Sequence, residues 1–384
     1  MRRVNPPELK MPKSPVLEYL SGLGCRYVEV EAPEVLPGTF VPGDFGDPVA
    51  EARAVREGVV AWDCAATDSF EWRGPDAVEA VQRVFSNDIT RFKSGRGRYG
   101  AMLDREGNVL ADPIVFKMSE THVFATTGES FLFDYYCEMA ADLDVEIEWV
   151  TPRFPHVQVQ GPKSRDLLQS LTRFDMTSMR WFDITTERVE VTGCSVLISR
   201  TGPTAELGFE MFYHPEDGVR LYQALIDGGA TPIGHDCIIG ILKPELGAVC
   251  AGVDYGVGDR TPYDLGMDRF VALEKPIEFA GKERLRTIAK NPPRRFVTLE
   301  LARGGEAPEE LPEWGSAVFA ADREVGVMTT SASSPQFGPL GQAILETGYS
   351  AVGTELMIRS GGREFMATIT TSPLYEPDRV KVRS

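Results

Sequence analysis

Gly95-Arg96-Gly97-Arg98-Tyr99-Gly100 spells G-x-G-x-x-G, the spacing with which a glycine loop brings backbone N–H groups against a pyrophosphate. That chemistry needs a strand before the loop and a helix opening after it. Here a polar, turn-forming segment precedes the motif and Ala101-Met102-Leu103-Asp104 follows, so nucleotide binding is not expected. Metal-ligating residues are dispersed as well. The six cysteines (25, 64, 137, 194, 237 and 250) form no C-x-x-C pair, and the four histidines are His122, His156, His214 and His235. A zinc or iron–sulfur site wants clustered soft ligands, and the sequence shows none. Walker A, H-E-x-x-H and G-x-S-x-G sequences are all missing, which removes the usual NTPase and hydrolase chemistries.

Charge narrows the partners. The chain carries a formal net charge of −17 over 384 residues, the opposite of a nucleic-acid footprint and unsuited to anionic lipid. Hydrophobic residues make up 42% and recur along the whole length, enough for two or three cores rather than one. Met1-Arg2-Arg3 leads into Val4-Asn5-Pro6-Pro7-Glu8 instead of an apolar stretch, so no secretory signal is expected. The longest apolar run, Cys237-Ile238-Ile239-Gly240-Ile241-Leu242, stops at Lys243, far short of the ~20 residues that span a bilayer. Reduced thiols and a cytoplasmic setting are the expectation.

The elements that must position any site follow from turn and periodicity signals. Asp47-Pro48 reads as a helix start, with Asp as cap and Pro in the first turn, and Gly58 as its end. Ser69-Phe70-Glu71-Trp72 alternates as a strand, then Gly74-Pro75-Asp76 turns into a helix with Val78, Val81 and Phe85 on one face. The pattern returns at His156-Val157-Gln158-Val159-Gln160, Gly161-Pro162-Lys163-Ser164 and a helix bearing Leu167, Leu168 and Leu171, which predicts two related halves. Strands are predicted over Pro113–Met118, His122–Ala125 and Val145–Val150, with hairpins at Thr192-Gly193 and Gly361-Gly362. A polar segment, Lys290-Asn291-Pro292-Pro293-Arg294-Arg295, reads as a linker, dividing an α+β region (1–289) from a C-terminal β domain (290–384).

Four segments, taken in order, carry more information. They are Gly58-Val59-Val60-Ala61-Trp62-Asp63; Ser86-Asn87-Asp88 through Tyr99 to Gly107-Asn108-Val109-Leu110-Ala111-Asp112-Pro113; Ser199-Arg200-Thr201-Gly202 through Gly208-Phe209-Glu210; and Thr261-Pro262-Tyr263-Asp264-Leu265-Gly266, followed by Lys275-Pro276 and Phe279-Ala280-Gly281-Lys282. Together they resemble the aminomethyltransferase family, meaning the glycine-cleavage T-protein and its folate-dependent demethylase relatives. The resemblance spans roughly residues 45 to 380 and implies a three-lobed α+β fold, a tetrahydrofolate channel and a C-terminal β-barrel-like domain.

The resemblance also implies roles. Glu210 matches the family's carboxylate for the pterin, whose adjacent N–H and amine a carboxylate accepts in bidentate fashion; without the motif it would read as a strand-end surface acid. Asp112 matches the second acid of the usual Asp-Asp pair near folate N5, where an acid takes or relays the N5 proton; its plain alternative is a turn cap before Pro113. The first acid of the pair is Ala111 here. Tyr99 is expected to pack on the folate or the core. Lys243 falls where the family usually has Arg, and is expected near the folate tail's carboxylates, though without the bidentate fork. Arg200 is expected to form a structural ion pair within its motif.

Within the family, the branch is expected to be the demethylases. T-proteins commonly read Asp-Val-Ser-His-Met where this chain has Asp63-Cys64-Ala65-Ala66-Thr67, a tyrosine at Pro203, and Val-Asn-Ala at Thr126-Thr127-Gly128. Trp62-Asp63, the segment Asp112–Met118 and Asp254-Tyr255 look like the demethylase branch. The implied reaction is direct displacement by folate N5 at the methyl carbon of a small S-, N- or O-methyl donor, with no lipoyl carrier protein as partner. Tyr255, Tyr263 or Tyr99 would supply a proton to an aryl-ether leaving group, and the Trp62 ring would face a cationic methyl group or simply pack in the core. The alternatives are an aminomethyltransferase of glycine-cleavage type and a non-catalytic folate-binding protein of iron–sulfur assembly, whose Lys-Gly-Cys element this chain lacks.

Overall fold

The computed structural model describes residues 14–29, 40–126, 130–301 and 310–384. The N-terminal Met1–Glu8 reading and the Thr127-Gly128 departure lie outside these. Helix starts behave as the sequence requires. Asp47 caps the helix Pro48–Glu57, its carboxylate accepting from the Val49 and Ala50 amides at 3.0 Å each, with Pro48 in the first turn and Gly58 closing the end. Asp47→Ala should therefore cost about 1 kcal/mol of stability, read as a lower denaturant midpoint with an unchanged slope.

Strands β1 (Arg26–Glu29) and β2 (Phe40–Asp44) pair as a ribbon ahead of β3 (Val60–Asp63). Next come β4 (Ser69–Arg73), β5 (Arg96–Tyr99), the small pair β6 (Met102–Leu103) and β7 (Val109–Ala111), β8 (Ile114–Ser119), β9 (His122–Thr126) and β10 (Glu146–Trp149). The third group is β11 (His156–Gln160), β12 (Val189–Val191), β13 (Cys194–Ser199), β14 (Gly208–Phe212) and β15 (Thr231–Ile233). The last is β16 (Arg294–Leu301), β17 (Ala317–Ala320), β18 (Arg323–Ser334), β19 (Gly338–Glu346), β20 (Glu355–Ser360) and β21 (Arg363–Thr370), which close into a barrel in the order 16-19-18-17-20-21. The fold is mixed α+β with a C-terminal six-stranded β-barrel.

The two halves show the same plan. One sheet has the order β10-β4-β9-β8-β5, the other β12-β13-β14-β11-β3-β15. In each, the strand that leads through Gly-Pro into a helix sits inside the sheet (β4, β11), and the next strands add back toward it, giving 4-9-8-5 and 11-14-13-12. The halves are also interlocked. β3 is made before the first sheet yet lies in the second, antiparallel to β11 and parallel to β15.

Both predicted hairpins form with positive φ at both turn residues, Thr192 (48°) with Gly193 (78°), and Gly361 (56°) with Gly362 (76°). That hand matches the twist of the strands it joins. The G-x-G-x-x-G stretch is strand β5 paired with β8, so its backbone amides are spent on a sheet and not offered to a phosphate.

Alternation gives each sheet two faces. Val157, Val159, Phe209 and Met211 point into a core shared with the helices Ser164–Leu171 and Gly218–Asp227. Phe70, Trp72, Val115 and Val123 do the same for the first sheet. The opposite faces meet through a smaller cluster of Phe116, Phe124, Leu197 and Phe212, with the Phe124 and Phe212 rings edge to face at 4.9 Å. The segment around Phe182–Ile184 stitches the sheets together, the Phe182 carbonyl accepting from Gly97 and Ile184 bridging to Ser199. A site is built where these two inner faces are polar.

Candidate active site between the two sheets

The second sheet presents one row of side chains across four adjacent strands. Ser199 is opposite Glu210, Glu210 opposite Gln158, and Gln158 opposite Trp62, so all four share the inner face. Glu210 is 3% exposed, and burial pushes its carboxyl up to about 7 against the pull of the Thr201 hydroxyl. His156 lies two residues before Gln158 on the same face, with Nε2 3.6 Å from Glu210 Oε2, too long for a hydrogen bond. Burial drops the His156 imidazole to about 3, so it is neutral at pH 7 and supplies Glu210 with no counter-charge.

The Arg-Thr-Gly…Gly-Phe-Glu element owes its glycines to Gln160. A Cβ on Gly202 or Gly208 would collide with the Gln160 carboxamide, which also donates to the Thr201 carbonyl at 3.1 Å and accepts from the Thr204 hydroxyl at 2.9 Å. This fixes the loop from which Thr201 reaches Glu210. Arg200 does not form an ion pair within its motif. It is buried and donates to the Met179 and Val382 carbonyls at 2.8 and 3.0 Å, tying the motif to the C-terminal segment.

A second polar cluster is a carboxylate held by two phenols. Tyr99, at the end of β5, donates to Asp112 Oδ2 at 2.7 Å, and Tyr255 donates to Oδ1 at 2.6 Å. Burial pushes the Asp112 carboxyl up to about 6, the Tyr255 and Tyr99 hydroxyls opposing it. Burial and the Asp112 charge together hold the Tyr99 phenol well above its usual range, so it stays a donor. Its ring meets Phe270 edge to face at 4.8 Å. Asp112 sits between β7 and β8 just ahead of Pro113, and both of its oxygens are spent on tyrosines rather than on capping a turn.

Lys243 has a different occupation from the one expected. It is 3% exposed, with its ammonium 2.7 Å from Asp254 Oδ2 and 2.7 Å from Thr330 Oγ1, and it also donates to Gln342 Oε1. An ammonium has three N–H donors, and these partners use them. A buried lysine so engaged has no donor left for a folate tail. Its place in the fold is to bind the Asp254-Tyr255 turn to barrel strands β18 and β19, which supports Tyr255 from behind.

Among the described residues, Trp62 Nε1, Gln158 Oε1, His156 Nδ1 and, on the facing sheet, Thr126 Oγ1 are buried with no hydrogen-bond partner. Buried polar atoms are normally paired, and here several orphans adjoin a buried carboxylate. Glu210, Asp112 and Tyr99 are among the site residues expected from the sequence, whereas Gln158 and His156 are not. Alternation with Val157 and Val159 gives the face these two residues share, and only the structure shows that this face is buried as well.

The residues 21–275 match the GCVT N-terminal domain model, and residues 294–376 match the glycine cleavage T-protein C-terminal barrel domain. The chain belongs to the glycine cleavage T-protein family. Within it, the chain is similar to an aminomethyltransferase of Listeria welshimeri, 30% identical over 368 residues that cover 95% of this chain and 98% of the relative. An aminomethyltransferase of Geobacillus kaustophilus is 28% identical over 370 residues, covering 94% and 98%. In three dimensions the fold is like that of the glycine cleavage system aminomethyltransferase T from Bartonella henselae, with a TM-score of 0.84, 20% identity and coverage of 96% and 99%. Proteins of the family bind tetrahydrofolate, and the chain is a folate-dependent one-carbon transferase of that family. Among the described residues no helix is long and apolar enough to cross a membrane, and no group of His, Cys, Asp and Glu is arranged to hold a metal ion.

Proposed function

We propose that the chain is a tetrahydrofolate-dependent demethylase that moves a methyl group from a small methylated donor to folate N5. The observation that carries this reading is Asp112, clamped by Tyr99 and Tyr255 and preceded by Ala111 rather than by a second acid. Bound tetrahydrofolate supplies the nucleophilic nitrogen. Glu210 holds the N–H and amine edge of the pterin. Asp112 receives the one proton that must leave N5 as a carbon bond forms there. Tyr99 and Tyr255 fix the orientation of that carboxylate, and the facing sheets align the reactants and keep water out.

One acceptor suffices for methyl transfer from a sulfonium or quaternary ammonium, because the donor leaves as a neutral molecule. Aminomethyl transfer must also protonate a departing amine, which asks for more than one relay. Cys64-Ala65-Ala66 in place of Val-Ser-His supports the same reading, and so does the strongly acidic chain, which suits a free small molecule better than an acidic lipoyl carrier.

A second reading, an aminomethyltransferase of glycine-cleavage type, is favoured by the names of the relatives at 28–30% identity. An anaerobic assay with tetrahydrofolate and a panel of sulfonium, N-methyl and methoxy-aromatic donors separates the two. Appearance of 5-methyltetrahydrofolate supports the demethylase. A 5,10-methylene product, formed with an aminomethyl-lipoyl carrier and not with the methyl donors, overturns it.

A further inference from the structure

We propose that Gln158 and Trp62 extend the pterin-holding edge begun by Glu210, so that three adjacent strands read three successive groups of the pterin. The inference rests on the folate reading above and adds two residues to it. Its basis is the register. Glu210, Gln158 and Trp62 are direct cross-strand partners on β14, β11 and β3, on one face, in that order. Glu210 and Gln158 are 3% and 8% exposed, and Gln158 Oε1 and Trp62 Nε1 are buried without a partner among the described residues.

Along the row the chemistry runs acceptor (Glu210 carboxylate), acceptor (Gln158 carboxamide oxygen), donor (Trp62 indole N–H). The edge of a pterin runs N3–H, the two hydrogens of the 2-amino group, then N1, which is three donors followed by an acceptor. The carboxylate takes N3–H and one amine hydrogen, which leaves the second amine hydrogen for Gln158 and N1 for the Trp62 N–H. The two orphans are thereby satisfied by the same ligand, and each is the type that the next pterin group requires.

A core role and a recognition role predict opposite stabilities. A buried polar atom without a partner costs free energy in the ligand-free protein, so removing it there is neutral or stabilising. The test uses the whole chain with Gln158→Met and Trp62→Phe, Gln158→Met being close in volume in case the smaller Phe leaves a void. Affinity for 5-methyltetrahydrofolate is measured by calorimetry, and ligand-free thermal stability by scanning calorimetry. Each variant should bind roughly three- to tenfold more weakly, the loss of one neutral hydrogen bond, and Gln158→Met should melt at or above the wild-type temperature.

Unchanged folate affinity in both variants overturns the proposal, whether Gln158→Met melts lower, as a packing residue would, or the Michaelis constant for the methyl donor rises instead. Glu210→Gln serves as the control. If it weakens folate binding while the other two do not, only the extended edge fails. If the wild type itself does not bind the folate, the reading beneath it fails too.

Discussion

Asp112→Asn is expected to lower turnover by about 10²- to 10³-fold, the usual range for loss of a positioned proton acceptor, with tetrahydrofolate still bound. The substitution preserves shape but removes the charge that Tyr99 and Tyr255 address at 2.7 and 2.6 Å. Asparagine presents one oxygen and one NH2, so one of the two phenols is left facing a donor. Single-turnover measurement isolates the effect: the folate dissociation constant should stay within a few-fold while the rate at saturation collapses. A companion outcome concerns pH. Asp112 must be ionised to take a proton, and its carboxyl lies at about 6, so the wild-type rate should rise with pH through about 6 and then level. Tyr255→Phe deletes a hydrogen bond that favours the carboxylate, and should move that limb to higher pH. An Asp112→Asn enzyme with wild-type turnover would remove Asp112 from the chemistry.

Glu210→Gln should weaken tetrahydrofolate binding by about 100-fold, because a bidentate, charge-assisted pair becomes a neutral contact with one matched and one mismatched group. Burial has already raised this carboxyl to about 7 from its ordinary 4.5, so the ligand-free protein holds a proton there at mildly acidic pH. The sign follows. Protonation favours the folded ligand-free state, so the stability due to Glu210 is fully present below about 4.5 and is lost as pH rises through about 7. Folate binding, which needs the carboxylate, must expel that proton. Affinity should therefore climb with pH, up to about tenfold per unit, and flatten above about 7. Calorimetry at pH 6 in buffers of different ionisation heat should register proton release in the wild type and none from this site in Glu210→Gln. Binding that is flat from pH 5.5 to 8 would exclude Glu210 as the pterin's partner.

How far these residues were legible depended on whether their partners are close in sequence. The Asp47 cap and the Thr192-Gly193 and Gly361-Gly362 turns are local, and their backbone requirements are written in a few adjacent side chains. The paired strand–Gly-Pro–helix units likewise showed through, and the matching strand orders bear the repeat out. Glu210, Asp112 and Tyr99 were reachable only through motif resemblance, since a lone acid looks alike whether it ends a strand or faces a ligand. Lys243 meets the same limit. Its motif position suggested a free cation, but its partners include Thr330 and Gln342 on barrel strands about ninety residues on, and no local pattern announces them. Gln158 was hidden by the alternation that placed it: period two says which side a residue faces, while burial on both sides of a strand needs the second sheet.

The crossing of β3 into the second sheet sets the order of events during synthesis. As the chain leaves the ribosome, Val60–Asp63 emerges first, and its neighbours in the sheet, β11 and β15, come only after the whole first sheet has been made. At ordinary elongation rates the wait for β11 is roughly 5–20 s, during which β3 is an open edge able to pair wrongly. The first lobe can close on its own sheet in that time, because β4, β5, β8, β9 and β10 are all in hand. The row from Glu210 to Trp62 is complete only once β14 has emerged, because β11 lies between β14 and β3. No amino-terminal fragment ending before β14 contains that row, and no carboxy-terminal fragment beginning after β3 does either, so the row needs the chain from β3 through β14.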